Sequence, residues 1–597
     1  MTSKYAVLQQ PVETLLSWIK SGDIAIPEIQ RPFVWKASKV RDLIDSLYKG
    51  YPVGYIITWR NPDIRLKNGE LSQGKRILID GQQRITALTA AIIGQRVLNA
   101  EYKEVNIRIA YQPLDEKFDV LNKAYERSPL WINDISPILK GEISISKARR
   151  EYCQLNPEVD EDLVEEKLEL LKRISNQQVG IIELDASLDI DEVTEIFIRI
   201  NQKGVKLSNA DFVMSKIAAD EEHQGNKMRR MIDYFCRLVV DKSFHKHIVD
   251  NDPEFVAHPY YNTIKWMATG KDHLYEPDYT DVLRVALTYQ FSRGKFSDLV
   301  ALLSGRNFET RRFEDEIASD SYQKLEKGLL AFFNQTNYQR FLMLVDSAGL
   351  IRPRLIVAKN SLNFAYALYL KLKDEGYAEP DIQKYVKRWL VFSLLKGRYS
   401  GSAESWIDQD IKQINERKIE NYLPIIEQSE LSDSYFEFGL VNDMQSQSKN
   451  NNGYTIYLAA KCKANTRAFL AKDMTIKALI EQRGDEHHLF PKRYLEKNNF
   501  SQKEYNQVAN YVYTEQYTNI RLKDTEPKQY FADLKAAIEA KSLKIATVDD
   551  WNDLLVNLEE NEIPQSILEG TSTDYNDFLT ARRQLMATAI KNYYYSL

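Results

Sequence analysis

Asp485-Glu486-His487-His488-Leu489-Phe490-Pro491-Lys492 is the stretch of this chain whose residue types point most directly to chemistry, and Asn510 and Asn519 follow it. If the histidines sit on a strand, their side chains alternate between its faces. One imidazole can then bind a metal while its neighbour turns the other way, toward a water. The asparagines, nine positions apart, suit a strand-to-helix element. The first can hold an imidazole through its amide, and the second can offer a hard oxygen ligand to Mg²⁺. Together these are the parts of a one-metal nuclease site. The alternative is a partly buried polar corner before a Phe-Pro turn.

The chain holds 7 histidines in 597 residues, and this pair is its one adjacent pair. The pair stands at the end of a predicted strand and before a helix-like run, Lys492–Lys497. His-x-x-Pro followed by Asn-x8-Asn, with Pro527-Lys528-Gln529-Tyr530 shortly after, resembles the HNH (His-Me finger) domain of the GmrSD-type, modification-dependent (type IV) restriction endonucleases. The resemblance implies a ββα-metal fold over 454–597. It implies His488 as the general base, His487 as a metal ligand, Asn510 as the residue that orients the base and Asn519 as the second ligand. An unperturbed imidazole titrates near neutral pH, which suits a base, and a divalent ion stabilises charge on a scissile phosphate. His487 stands where many such sites carry Asp. Imidazole suits Mn²⁺, Co²⁺, Ni²⁺ or Zn²⁺ better than Mg²⁺.

A second constellation is Arg76-Ile77-Leu78-Ile79-Asp80-Gly81-Gln82-Gln83-Arg84-Ile85-Thr86-Ala87-Leu88. An apolar strand runs into Asp80-Gly81, and the following residues open a helix. A helix N-terminus attracts phosphate, and Gln82, Gln83 and Arg84 would surround it with donors. A structural turn with a surface arginine is the competing reading. Ile26-Pro27-Glu28-Ile29-Gln30-Arg31-Pro32-Phe33-Val34-Trp35, the Asp80–Arg84 string and Phe197-Ile198-Arg199-Ile200-Asn201-Gln202-Lys203-Gly204-Val205-Lys206-Leu207 are similar to the three motifs of the N-terminal domain in the same family. That resemblance implies a ParB/sulfiredoxin-like α/β fold over 1–220 that binds and hydrolyses an NTP (ATP, GTP or another). Gln30, Arg31, Gly81, Gln82, Gln83, Arg84, Arg199 and Asn201 are its implied contacts, and Asp80 could position a water. Arg398-Tyr399-Ser400-Gly401-Ser402-Ala403-Glu404-Ser405 is also similar to family members.

These residues need scaffolds, and 597 residues exceed one hydrophobic core. A prior of roughly 150 residues per domain suggests about three or four. Residues 1–220 alternate amphipathic helical segments, Val12–Lys20 and Ala37–Lys49, with β-rich runs, Tyr55–Trp59, Ile77–Asp80, Val105–Ala110 and Val179–Leu184. From 221 to 440 the apolar spacing is helical, as in Leu299–Leu303, Gln323–Phe333 and Ile382–Leu395. The polar stretch 441–453 reads as a linker. The last segment ends in a predicted helix over Asp577–Tyr595. The expected fold class is multidomain α/β plus α.

Composition bounds partners and setting. A net charge of −5 argues against non-specific coating of DNA, yet residues 451–545 hold 16 Lys+Arg against 11 Asp+Glu. Phosphate contacts need such local positive charge. Cys153, Cys236 and Cys462 have no metal-like spacing and read as buried thiols in a reducing compartment. No apolar run approaches the ~20 residues of a membrane span. No membrane contact and a cytoplasmic setting are expected. His245-x-His247 could set two ligands on one face of a strand, but it lacks supporting ligands and reads as packing or solvated. Tyr260-Tyr261 and Tyr593-Tyr594-Tyr595 could stack on bases, although packing is the commoner use.

The expected activity is a nucleotide-regulated, metal-dependent endonuclease acting on double-stranded DNA, modified as the resemblance implies. Lone HNH sites nick one strand, so double-strand breaks call for a homodimer or two events. Two other readings compete: a nucleotide-sensing regulator that binds nucleic acid without cutting, and a toxin-like nuclease without modification dependence.

Overall fold

Apolar alternation in the first part of the chain builds a mixed five-stranded sheet, and helical spacing in the remainder builds helices around a very small second sheet. The computed structural model describes residues 4–21, 23–25, 33, 35–60, 76–98, 104–185, 188, 196, 209–220, 222–270, 274–310, 312, 314–482, 484, 486–542 and 546–597. They fall into two compact units, Met1–Phe255 and Val256–Leu597. The structure is mostly helical with small sheets, in keeping with multidomain α/β plus α.

In the first unit, β1 (Tyr5–Pro11), β2 (Ile24–Ala25), β3 (Tyr55–Arg60) and β4 (Arg76–Asp80) join β9 (Gln178–Leu184) in the order β1-β9-β3-β4-β2. Two small pairings lie outside this sheet: β5 (Val97–Leu98) with β6 (Glu104–Val105), and β7 (Ile109–Gln112) with β8 (Lys117–Val120). The single strand expected over Val105–Ala110 is therefore two, because residues 106–108 are not paired. β3 pairs antiparallel with β4 and parallel with β9. One sheet face packs on the helices Val12–Ser21, Ala37–Tyr48, Gln82–Leu88 and Glu161–Lys172 through Leu15, Ile44, Ile56, Leu78, Ile85, Leu168 and Ile181. The other face carries a smaller core of Ile57, Trp59, Ile79, Leu184 and Leu188. This arrangement sets the end of β4, and so Asp80-Gly81, at the rim of a rigid sheet.

The helix Gly225–Val240, grouped by sequence with the helical middle, belongs to the first unit. Periodicity identifies a helix but not the core it joins. Phe244–Asn251 is a helix, not a strand, so His245 and His247 do not share a strand face. His247 stacks on Phe244 and bonds Asn251.

In the second unit, the helix Lys359–Asp374 is buried along nearly its whole circumference, which makes it a central element. Beside it, Arg398 reaches across to Asp410 in a bidentate pair, both bonds at 2.7 Å, and Tyr399 and Tyr422 donate hydroxyls to the same carboxylate. The Arg398–Ser405 segment thus begins as a buried brace. Tyr593 and Tyr594 are buried, bonded to the Ala348 carbonyl and to Glu427. They pack; they do not present faces to bases. The three cysteines are buried and in no disulfide.

The stretch read as a linker is tied down within this unit. Leu440–Asp443 is helical, the Ser446 carbonyl accepts from Val508 N–H at 2.9 Å, and the Asn451 side chain caps the helix Asn452–Lys463 through Tyr454 N–H at 3.0 Å. Short polar side chains made the stretch look unstructured, and those same groups make the caps that order it. No described helix is long and apolar enough to cross a membrane.

Candidate active site

β10 (Glu486–His488) and β11 (Tyr511–Tyr513) form an antiparallel pair, with Glu486 opposite Tyr513, His487 opposite Val512 and His488 opposite Tyr511. A short helix, Gln516–Leu522, follows β11. Strand alternation sends His487 one way and Glu486 with His488 the other. His487, 6% exposed, directs Nδ1 at Asn519 Oδ1 on that helix at 2.6 Å. His488 directs Nε2 at Asn506 Oδ1 at 3.0 Å, and its ring meets Tyr511 edge-on at 4.9 Å.

Burial, the largest cause, pushes the His487 pKa down to about 4; the Asn519 bond opposes it and neighbouring His488 adds to it. His488 is likewise lowered, first by burial, against the Asn506 bond that raises it and with the help of Lys449 and Lys492. Both imidazoles are neutral at neutral pH, the form that ligates a metal or accepts a proton. An Asn506 oxygen can only accept, so His488 Nε2 carries the hydrogen and Nδ1 holds the lone pair. For the same reason His487 donates through Nδ1, and its buried Nε2 has no partner among the described residues.

Asn510 does not touch an imidazole. It is fully buried, accepts from Phe490 N–H at 2.9 Å, and donates to the carbonyls of Phe490 and Tyr505 at 3.1 Å each. The role expected of Asn510, holding His488, falls to Asn506, four residues earlier. Asn510 instead fixes the loop that follows His488. Its burial leaves it no route to a substrate, so it is a positioning residue.

Sequence reasoning also passed over Glu486, although it stands beside the histidines. Its buried carboxylate accepts from Arg354 at 2.8 Å and Tyr513 at 3.1 Å and pairs with Lys449 at 2.5 Å. Arg354 and Lys449 come from the helical middle and the supposed linker. No local spacing could have announced them.

Among the described residues no cluster of three His, Cys, Asp or Glu is arranged to hold a metal. The donors expected here, His487 and Asn519, are an imidazole nitrogen and an amide oxygen already facing each other across a shared hydrogen. Burial keeps the imidazole neutral, and the mixed N/O set suits a divalent first-row ion or Mg²⁺. As they stand, the His487 Nδ1 hydrogen occupies the Asn519 oxygen and the other imidazole nitrogen is buried, so the pair presents no open donor set to an ion.

In the first unit, Gly81 follows β4 at φ +98°. An L side chain is strained at that angle, and a Cβ would stand 3.1 Å from Ile56 Cγ1. The helix Gln82–Leu88 starts there, with Gln83 buried and Gln82 and Arg84 half-buried. Arg84 Nη1 donates to the Tyr55 carbonyl at 2.5 Å, and its guanidinium lies against Gly54. It braces the start of β3. Gln30, Arg31, Arg199 and Asn201 lie outside the described residues, so the structure assembles only the Asp80–Arg84 part of the expected nucleotide site.

Residues 12–218 match the model of the N-terminal domain of the GmrSD restriction endonuclease, which supports a restriction endonuclease family of that type. The Asp80–Arg84 turn is inside the matched span and the His487-His488 strand is outside it. A Methanocaldococcus jannaschii protein described as uncharacterized is 22% identical, over 98% of this chain and 99% of the relative. That likeness extends through both units.

Proposed function

We propose that this protein is a nucleotide-regulated, metal-dependent endonuclease that cuts modified foreign DNA, such as phage DNA, in bacterial defence. The observation that carries the reading is His488: a neutral imidazole, fixed by Asn506 through one nitrogen with no described partner on the other, on the opposite strand face from the His487–Asn519 pair. A module that only binds nucleic acid has no use for that arrangement. The family match of residues 12–218 supports restriction as the biological role.

In this reading, β10, β11 and the helix Gln516–Leu522 are an HNH ββα-metal element. His488 Nδ1 accepts a proton from the attacking water as the water oxygen bonds to phosphorus and one P–O bond breaks. The leaving oxygen is protonated from solvent. Asn506 keeps the Nε2 hydrogen in place and so keeps the accepting lone pair on Nδ1. His487 and Asn519 would hold Mg²⁺ or Mn²⁺ only by giving up the hydrogen they share, and the ion would supply positive charge to offset that on the phosphate. Asn510 holds the loop after His488 in register.

The sheet unit is read as a ParB/sulfiredoxin-like domain that takes ATP, GTP or another NTP at the Asp80–Arg84 turn together with Gln30, Arg31, Arg199 and Asn201. Asp80 positions a water for its hydrolysis. Two copies of the chain, each nicking one strand, account for double-strand breaks.

Digestion of phage DNA bearing glucosylated hydroxymethylcytosine beside its unmodified counterpart, with Mg²⁺ or Mn²⁺ and with or without ATP or GTP, tests the reading. Metal-dependent cutting that favours the modified DNA and changes with nucleotide is expected. Coupling of ~1–3 kcal/mol would change the rate by roughly 5–150-fold. Equal rates on both DNAs remove modification dependence, and no cutting under any condition removes the nuclease.

A further inference from the structure

Two lysines are built onto the rim of the His488 side of the site by buried tyrosines. The Tyr511 ring centroid is 4.9 Å from the His488 ring and 4.9 Å from Lys449 Nζ. Tyr505, 6.2 Å from the His488 ring, carries Lys492 Nζ at 5.4 Å from its centroid. Both tyrosines are buried, so their rings act as platforms, while both lysine side chains remain 51% exposed. The lysines arrive from separate places: Lys449 from the ordered stretch before the helix Asn452–Lys463, Lys492 from the first turn of the helix Lys492–Lys497.

Each charge is only partly offset where it stands. Lys449 pairs with Glu486, but Arg354 pairs with the same carboxylate, so two cations share one anion. Lys492 faces Glu496 at 3.8 Å in an exposed i,i+4 pair, which holds a lysine only weakly. The rim therefore carries a surplus of positive charge next to a neutral imidazole. Their presence also opposes protonation of His488. A rim of this kind attracts a polyanion.

We propose that Lys449 and Lys492 contact backbone phosphates of duplex DNA beside His488, and so set the depth at which the scissile phosphate meets Nδ1. This rests on the nuclease reading and adds the residues that seat its substrate. Contacts to phosphate carry no sequence information, so the pair contributes affinity and register on any DNA.

The experiment is DNA binding by the full chain in EDTA, so that no cleavage competes, using a fluorescent 30-base-pair duplex across a series of salt concentrations. Each phosphate contact adds about 0.9 to the slope of log K against log salt. Lys449→Gln and Lys492→Gln are each expected to flatten the slope by about that amount and to weaken binding to modified and unmodified duplexes alike. Lys449→Arg keeps the charge and should keep the slope, which separates loss of a phosphate contact from disturbance of Glu486. Lys472→Gln, at an exposed pair with Asp549, should leave the slope unchanged. Parent slopes in both glutamine variants overturn the proposal while leaving a binding and cutting parent, and with it the nuclease reading, intact. A parent that neither binds nor cuts DNA overturns both. Flattening only with a single-stranded RNA probe overturns the duplex-DNA assignment.

Discussion

The Asn510 side chain holds the Phe490 peptide at both ends, accepting from its N–H at 2.9 Å and donating to its carbonyl at 3.1 Å. It does for the loop after β10 what a neighbouring strand would do. The Leu489 N–H adds a bond to the Asn510 carbonyl at 2.8 Å, and the Leu489 carbonyl accepts from Tyr530 at 3.1 Å. The backbone leaving His488 is thereby fixed in a part of the core where water cannot substitute.

Asn510→Ala is expected to lower stability of the second unit by about 2–5 kcal/mol, since each buried group left unpaired costs ~1–3 kcal/mol. Urea denaturation followed through the unit's tryptophans measures it. An unchanged midpoint would show that the loop is held without this amide.

His488→Ala should cut DNA cleavage by ~10²–10⁴-fold with little change in urea midpoint, because it removes the proton acceptor and leaves the loop bonds made by Asn510 intact. Nucleotide hydrolysis, assigned to the other unit, should persist. Cleavage at the parent rate would eliminate His488 as the base.

Asn506→Ala addresses orientation separately. It frees His488 Nε2 without touching the lone pair on Nδ1, so the ring can turn or change tautomer. Loss of roughly 10–100-fold in kcat with KM nearly constant is expected, the size seen when a supporting hydrogen bond is removed from an active imidazole. A raised KM with unchanged kcat would assign Asn506 to substrate binding.

The placement of the histidine pair was legible in the sequence. The His487-His488 pair lies on a strand, the Lys492–Lys497 helix has the expected limits, and Asn519 meets His487. The supporting residues were less so. An asparagine bonding a backbone and one bonding a ring look identical in sequence, which is why the role of holding His488 was given to Asn510 and not to Asn506. Lys449 sat in a stretch too polar to suggest order, and Arg354 is over a hundred residues from Glu486. The 1–220 sheet was readable from alternation, but its strand order depends on non-local pairing, as in β9 inserted between β1 and β3.

Arg398→Ala should destabilise the second unit by about 3–5 kcal/mol, since Asp410, fully buried, would lose its cation. Replacing both, Arg398→Met with Asp410→Leu, should cost less than either Arg398→Ala or Asp410→Ala, because the only carboxylate then left without Arg398 is Glu430, which reaches solvent. Paired urea curves decide it. A double variant weaker than both singles would mean that the pair fixes a geometry the apolar residues cannot.

Arg84 separates two roles for the Asp80–Arg84 turn. In the structure its guanidinium holds the Tyr55 carbonyl and rests on Gly54, so some of its donors are engaged before any anion arrives. A hydrogen bond from a charged donor is worth ~1.5–3 kcal/mol when buried and less at a half-exposed site. Arg84→Ala is therefore expected to lower nucleotide-free stability of the first unit by about 1–2 kcal/mol. It should also reduce nucleotide turnover, because the strand end and the turn that would receive the phosphate lose their common brace. Cleavage of DNA measured without nucleotide should be unaffected by direct contact, as Arg84 is no part of the His488 site. Thermal unfolding and NTP hydrolysis on the same preparations test this. Full nucleotide-free stability with turnover abolished would show that Arg84 is an anion contact that exchanges the Tyr55 carbonyl for phosphate. Unchanged turnover in both Arg84→Ala and Asp80→Ala would make the turn purely structural and move the nucleotide away from it.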